Sequence, residues 1–179
     1  TRRSSDLPLT DTPNAIGGAV LSMNTQIIGD DLYIFGYGNI YRYSLPSMTL
    51  IWQTTTTGRV SDVCKLGSYI YIVGESLTRV DTAYGNNFYR YDPANGNIIT
   101  MPNLDAHAFG AVSDGSYIYV LGNMSKVGTT DVGRGFKFDG STYTDLNIPS
   151  TYVTNAWCPF IHNNRLYWMD NYRLKFRYI

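Results

Sequence analysis

Two histidines, two cysteines and a scatter of acids and arginines are the groups in this 179-residue chain with chemistry to offer. A metal centre needs Cys, His or carboxylates at ligand spacing, but His107 and His162 stand 55 residues apart and no Cys-x-x-Cys pair exists. No metal and no other cofactor is therefore expected. Cys64 and Cys158 fall in segments expected to be non-adjacent strands, which predicts two buried small hydrophobes rather than a disulfide. His107 is expected to make structural hydrogen bonds, and His162, beside Asn163-Asn164, to sit on a solvated turn. Glu75, Asp81, Asp131 and His107 are only nominal acid/base candidates, so no catalytic residue is assigned. Gly36-Tyr-Gly38 lacks the third glycine and the helix of a dinucleotide fingerprint, and no nucleophile elbow or Ser-His-Asp set is present. Asp114-Gly115 and Asp139-Gly140 suit calcium on paper, but a β-turn needs the same residues for its backbone alone. Asn123-Met-Ser125 is a glycosylation sequon on an expected loop.

The elements that would carry these groups repeat. A polar turn followed by an apolar-Tyr strand occurs four times, with anchors Tyr33, Tyr71, Tyr119 and Tyr167 spaced by 38, 48 and 48 residues. A second phrase keeps step with it: Ile40-Tyr-Arg-Tyr43, Phe88-Tyr-Arg-Tyr-Asp92, Phe136-Lys-Phe-Asp139 and Leu174-Lys-Phe-Arg-Tyr178. Aromatic and basic or polar residues alternate in it, as in a strand exposed on one face. A small-residue strand precedes each first phrase, at Gly18 to Leu21, Val60 to Val63, Gly110 to Val112 and Trp157 to Ile161. A short run follows the second: Leu50-Ile-Trp-Gln53, Asn97-Ile-Ile-Thr100 or Tyr143-Thr-Asp-Leu146. Four strands per unit at a period of roughly 40 to 50 residues predict an all-β chain of the β-propeller type, because one such sheet buries both faces only when neighbours stack on it.

At Tyr91-Asp92-Pro93, Met101-Pro102, His107-Ala108 and the strand Tyr117 to Gly122, the chain resembles the kelch-repeat family. Gly36, Gly74 and Gly122 stand alone where that family has a glycine pair, and Asp170 replaces the glycine altogether. The resemblance runs over about residues 16–179 and implies a kelch-like propeller of about four antiparallel blades, three complete and one partial. The expected divisions are 1–15 as an N-terminal segment, then blades at 16–57, 58–104, 105–150 and 151–179. Asp6-Leu-Pro-Leu-Thr10 resembles the end of an outer strand, so two arrangements are open: a four-bladed ring closed by the N-terminal segment, or a fragment of a larger, truncated propeller, which is favoured. Thr1 to Leu7 also reads as the translation of a short-read sequencing adapter, an assembly scar to be left out of fold reasoning.

Composition excludes several classes. Sixteen tyrosines and seventeen glycines suit strands and tight turns, while 44% hydrophobic and 16% charged residues argue against disorder. The charge is balanced and the basic residues are dispersed, so no nucleic-acid partner is expected. No run approaches the roughly 20 apolar residues of a helical membrane span, and nothing in the sequence predicts localisation.

In an antiparallel blade the loops after the second and fourth strands share one face, and here those loops are the long, varied ones. That face predicts a ligand site of Tyr37, Arg59, Arg79, Tyr84, His107, Lys126, Arg134 and Asn155. Its mixed charge, amides and tyrosines suit carbohydrate or a polar peptide. The expected function is non-enzymatic recognition of a protein or glycan. The alternative is a kelch-propeller enzyme acting on carbohydrate, a sugar epimerase or oxidase, although a copper oxidase resembling galactose oxidase would need clustered Tyr, His and Cys ligands.

Overall fold

The computed structural model describes residues 24–150, 157–170 and 172–179, which form antiparallel β-structure with no α-helix among them. The strands fall into four successive meanders. The first comprises β1 (Asn24–Ile28), β2 (Asp31–Phe35), β3 (Tyr37–Ser44) and the opening half of β4 (Thr49–Leu66). The closing half of β4 begins the second, followed by β5 (Tyr69–Val80), β6 (Ala83–Tyr84), β7 (Phe88–Tyr91) and β8 (Ile98–Thr100). The third contains β9 (Ala108–Ser113), β10 (Ile118–Gly122), the small hairpin β11 (Lys126–Val127) and β12 (Thr130–Asp131), then β13 (Gly135–Phe138) and β14 (Tyr143–Asp145). The last has β15 (Trp157–His162), β16 (Arg165–Asp170) and β17 (Arg173–Tyr178). No described helix is long and apolar enough to cross a membrane.

Strand alternation explains how the meanders stack. Side chains two apart share a face, so β5 turns Ile70 and Ile72 toward Tyr33 and Phe35 of the first meander, and Tyr71 and Val73 toward Ile118 and Val120 of the third. β10 repeats the pattern, pressing Tyr119 and Leu121 against Leu166 and Trp168 of the last meander. Each such side chain, removed from water, contributes roughly 1.5–3 kcal/mol. Three anchor tyrosines, Tyr33, Tyr71 and Tyr119, are thereby buried. Tyr167 is only half-buried. Aspartates close the turns between strands: Asp114 Oδ1 accepts from the Ser116 and Tyr117 amides, and Asp139 Oδ1 from those of Ser141 and Thr142.

Three expectations are revised, and a fourth falls outside the described residues. The sequence predicts a break between sheets at 57–58, yet β4 runs unbroken from Thr49 to Leu66 and joins the first two meanders into one eight-stranded, curled sheet. Its first half pairs with β3 and its second with β5, and the corner between them is Gly58, at φ 102°. A Cβ there would run into the Ser76 carbonyl, so only glycine lets the strand turn without ending. The expected loop from Gly74 to Asn87 begins instead as strand, because Leu77 and Val80 are fully buried and hold β5 straight before it folds back into β6. The inner strand of the first meander includes Asn24 to Ile28, downstream of the expected Gly18 to Leu21, which lies outside the described residues. Cys64 is buried as expected, but Cys158 is exposed, because a bulge in β15 puts it at φ 52°.

Candidate functional site

Seven of the eight expected ligand residues lie within the described chain, and they assemble as three groups rather than one pocket. Asn155 lies outside the described residues. The first group forms where β3, β4 and β5 meet. The register sets Tyr37 opposite Arg59, and Arg59 opposite Glu75. Arg59 Nη1 lies 2.7 Å from Glu75 Oε1, which the Ser61 hydroxyl also approaches at 3.4 Å. Tyr37 stays half-exposed beside them. An arginine held by a partner on the next strand keeps its orientation, which suits recognition of a carboxylate or a polar edge.

The second group links two meanders. His107 Nδ1 accepts a hydrogen bond from the Ser76 amide at 3.0 Å, so the histidine ties the second meander to the third. Its own amide donates to Asn123 Oδ1 at 2.9 Å, the Asn123 amide donates back to the His107 carbonyl, and the Arg134 guanidinium donates to the Asn123 carbonyl. From Arg59 and Glu75 through Ser76, His107 and Asn123 to Arg134, a continuous polar chain thus crosses the strand ends of two meanders. Beneath it, buried Asn87 accepts from the Leu77 amide at 2.8 Å and donates to the Ala106 carbonyl at 3.0 Å, satisfying backbone groups that no strand pairs.

The third group comprises two hairpin tips. Arg79 and Tyr84 face each other across β5 and β6, the guanidinium 5.9 Å from the ring, with Tyr84 73% exposed. Lys126 and Asp131 pair across β11 and β12 at 3.5 Å, both exposed. Asp105 fixes the base of that hairpin, accepting from the Ser125 amide and hydroxyl and the Lys126 amide. Burial pushes its carboxyl up, but these bonds outweigh it and hold Asp105 below the usual carboxylate range.

The nominal acid/base candidates do not converge. Glu75 is engaged by Arg59 and Ser61, Asp131 by Lys126, and Asp81 sits exposed on the β5–β6 turn. The sequon's Asn123 carries the inter-strand bond to His107.

A feature the sequence reading missed lies alongside. The inner strands β1, β4, β9 and β15 line one cavity of about 900 Å³, which Arg59 reaches at one end and Gly67 and Gly115 at the other. Three of these strands carry a register shift at matching positions: near Ser61 in β4, Phe109 in β9, and Cys158 to Pro159 in β15. A bulge re-aims side chains, and Ser61, Phe109, Cys158 and Pro159 all border the cavity. The bulge in β4 presents Asp62, whose Oδ2 accepts from the Ala111 amide of the third meander at 3.0 Å and Oδ1 from the Val63 amide at 2.9 Å. Burial pushes its carboxyl up to about 6, against the pull of those two amides. The available signal was a lone acid between Val60 and Val63, in a strand read as one of small residues.

In comparisons with known proteins, no family model matches the chain and no curated protein is significantly similar to it.

Proposed function

We propose that the chain is a recognition module of kelch-like β-propeller architecture that binds a protein or glycan, without catalysis, through the strand ends carrying Tyr37, Arg59, Arg79, Tyr84, His107, Lys126 and Arg134. The observation that carries this reading is the polar chain from Arg59 to Arg134. It holds amides, a histidine and two guanidinium groups in fixed orientation at one end of successive meanders, with exposed Tyr37 beside Arg59 and exposed Tyr84 on a separate hairpin tip. Preorganised polar groups beside exposed aromatics favour ligands that present both hydroxyl or amide edges and apolar faces. The propeller part of the reading is supported by four meanders whose first strands border a common cavity and whose second strands pack face to face in succession.

Glycan-array and pull-down binding of the full chain, compared with Tyr84→Ala and Arg79→Ala, tests it. Loss of one such anchor should weaken binding by about 2 kcal/mol, roughly 30-fold. Ser68→Ala and Ser116→Ala, at the opposite strand ends, should bind as the unmodified chain does. Equal binding by all variants refutes the site, and turnover of a sugar that disappears on replacing Glu75 or His107 refutes the non-catalytic part.

A further inference from the structure

Where β5 runs on past Gly74 it pairs with the middle of β4 on one side and with β6 on the other, making a three-stranded shelf. Register aligns Thr56, Val80 and Ala83 in one row and Thr57, Arg79 and Tyr84 in the next. The first row turns to the core shared by the first two meanders, where Thr56 and Val80 are buried and Ala83 packs beside them. The second row therefore points to the other side, with Thr57 and Tyr84 exposed and Arg79 half-buried. The second meander itself is packed on both faces, by the first meander at Ile70 and Ile72 and by the third at Tyr71 and Val73. Backbone bonds fix the shelf: Thr100 Oγ1 donates to the Tyr84 carbonyl at 2.8 Å, the Asp81 amide to the Thr55 carbonyl at 2.9 Å, and the Gly85 amide to the Thr78 carbonyl at 3.1 Å.

We propose that the row Thr57–Arg79–Tyr84 recognises a carboxylated sugar: the pyranose ring lies on Tyr84, the carboxylate pairs with Arg79 and a ring hydroxyl meets Thr57. The inference rests on the recognition reading above and names its ligand class. Charge decides the sign of the ligand. Among the described cations at these strand ends, Arg59 is engaged by Glu75, Lys126 by Asp131 and Arg134 by the Asn123 carbonyl, whereas Arg79 has only the Tyr84 ring at 5.9 Å. A guanidinium without an acid partner is a planar fork that fits a carboxylate through two parallel hydrogen bonds. Asp81, exposed on the same turn, disfavours a dianion such as a phosphate monoester.

Shape decides between sugar and peptide. An extended peptide binds by adding a strand to a free sheet edge, but β6 is two residues long and its Tyr84 carbonyl already accepts from Thr100. What the shelf offers instead is a sheet face. Neighbouring strands are about 4.8 Å apart, so the row spans roughly 10 Å from Thr57 to Tyr84, room for a sugar ring with its exocyclic carboxylate. An aromatic ring of fixed position stacks on the apolar face of a pyranose at little entropic cost. Hydroxyl, guanidinium and aromatic ring, one from each strand, are thus ordered before the ligand arrives.

Calorimetric titration of the full chain with two matched pairs tests it: cellobiouronate against cellobiose, and trigalacturonate against its methyl ester. In at least one pair the acid should bind about tenfold tighter than its neutral counterpart. Arg79→Gln should erase that preference, and Arg79→Lys should keep part of it, because the charge stays while the fork is lost. Tyr84→Ala should weaken acid and neutral members alike, with circular dichroism unchanged in every variant. Equal binding within both pairs, or a preference that survives Arg79→Gln, overturns the carboxylate assignment and leaves the recognition reading standing. Binding of neither pair overturns the inference as a whole, and the recognition reading then falls only if protein capture by the full chain is also insensitive to Arg79→Ala and Tyr84→Ala.

Discussion

Replacing Asp62 with asparagine should flatten the pH dependence of stability between about pH 7 and pH 5. The carboxyl is raised from its ordinary 3.8 to about 6, first by burial against the cavity wall and then only partly relieved by the Ala111 and Val63 amides. A raised native pKa means that the folded chain holds its proton more tightly than the unfolded one, so stability grows as pH falls through about 6 and is lost as pH rises through it. At 1.36 kcal/mol per pH unit, the full difference is about 3 kcal/mol, reached only below the unfolded pKa. Between about pH 7 and pH 5 the gain is about 1 kcal/mol. Asp105 and Asp114, whose carboxyls are held below the usual range, act in the opposite sense at lower pH. The informative quantity is therefore the difference between unmodified and Asp62→Asn curves, not either curve alone. Urea unfolding at half-unit pH steps measures it directly, and about 1 kcal/mol corresponds to roughly 2–4 °C in thermal midpoint for a chain of this size. Asparagine keeps the shape and one acceptor, so the variant should fold with a constant offset from its altered hydrogen bond to Ala111 or Val63. Parallel curves across that window would refute the reasoning, since they would mean that Asp62 is solvated from the cavity and carries no proton linkage.

Gly58→Ala should cost more than 2 kcal/mol or abolish folding, because the new Cβ meets the Ser76 carbonyl at a φ that alanine avoids; denaturant titration with hydrogen exchange at β4 measures it. Asn87→Ala should lose about 2–4 kcal/mol in the same titration, since it orphans the Leu77 amide and the Ala106 carbonyl at the junction of the second and third meanders. Phe88→Ala, beneath Tyr71, Phe136 and Phe138, should cost about 3–5 kcal/mol, whereas Ile99→Ala on the exposed outer strand should stay within about 1 kcal/mol.

Side-chain periodicity made the strands legible. Tyr33, Tyr71 and Tyr119, with the aliphatic residues on either side of them, could be assigned to buried strands from sequence because alternation reports directly which residues share a face. Backbone continuity leaves no such mark. Gly58 after four threonines reads as a terminator, and only the carbonyl of Ser76, brought close by tertiary structure, makes it a corner inside one strand. Leu77 and Val80 are three apart, a spacing that matches neither two-residue alternation nor a turn, so the extension of β5 was hidden among polar neighbours. Among the site residues, Arg59, His107 and Arg134 were recognisable as polar groups at loop positions. Their partners were not, because Ser76 acts through its backbone amide and Asn123 through its backbone carbonyl and side-chain oxygen, whose roles depend on registers set by distant strands. Asp62 escaped for a related reason. Its character comes from a bulge that only pairing with β5 defines.

The unbroken course of β4 also bears on how such a chain can be rearranged. Repeat arrays grow and shrink by gaining or losing whole units, which requires seams where a cut leaves both sides with intact hydrogen-bonded edges. A cut at 57–58 severs one strand and strips β3 and β5 of a shared neighbour at once. The connection between β8 and β9 runs through no strand and is held by one isolated bridge, Leu104 to Val127, and a few loop hydrogen bonds, so a cut there disturbs less pairing. Duplication or exchange within this architecture is therefore expected to carry the first two meanders together, as a single module twice the size of the sequence repeat.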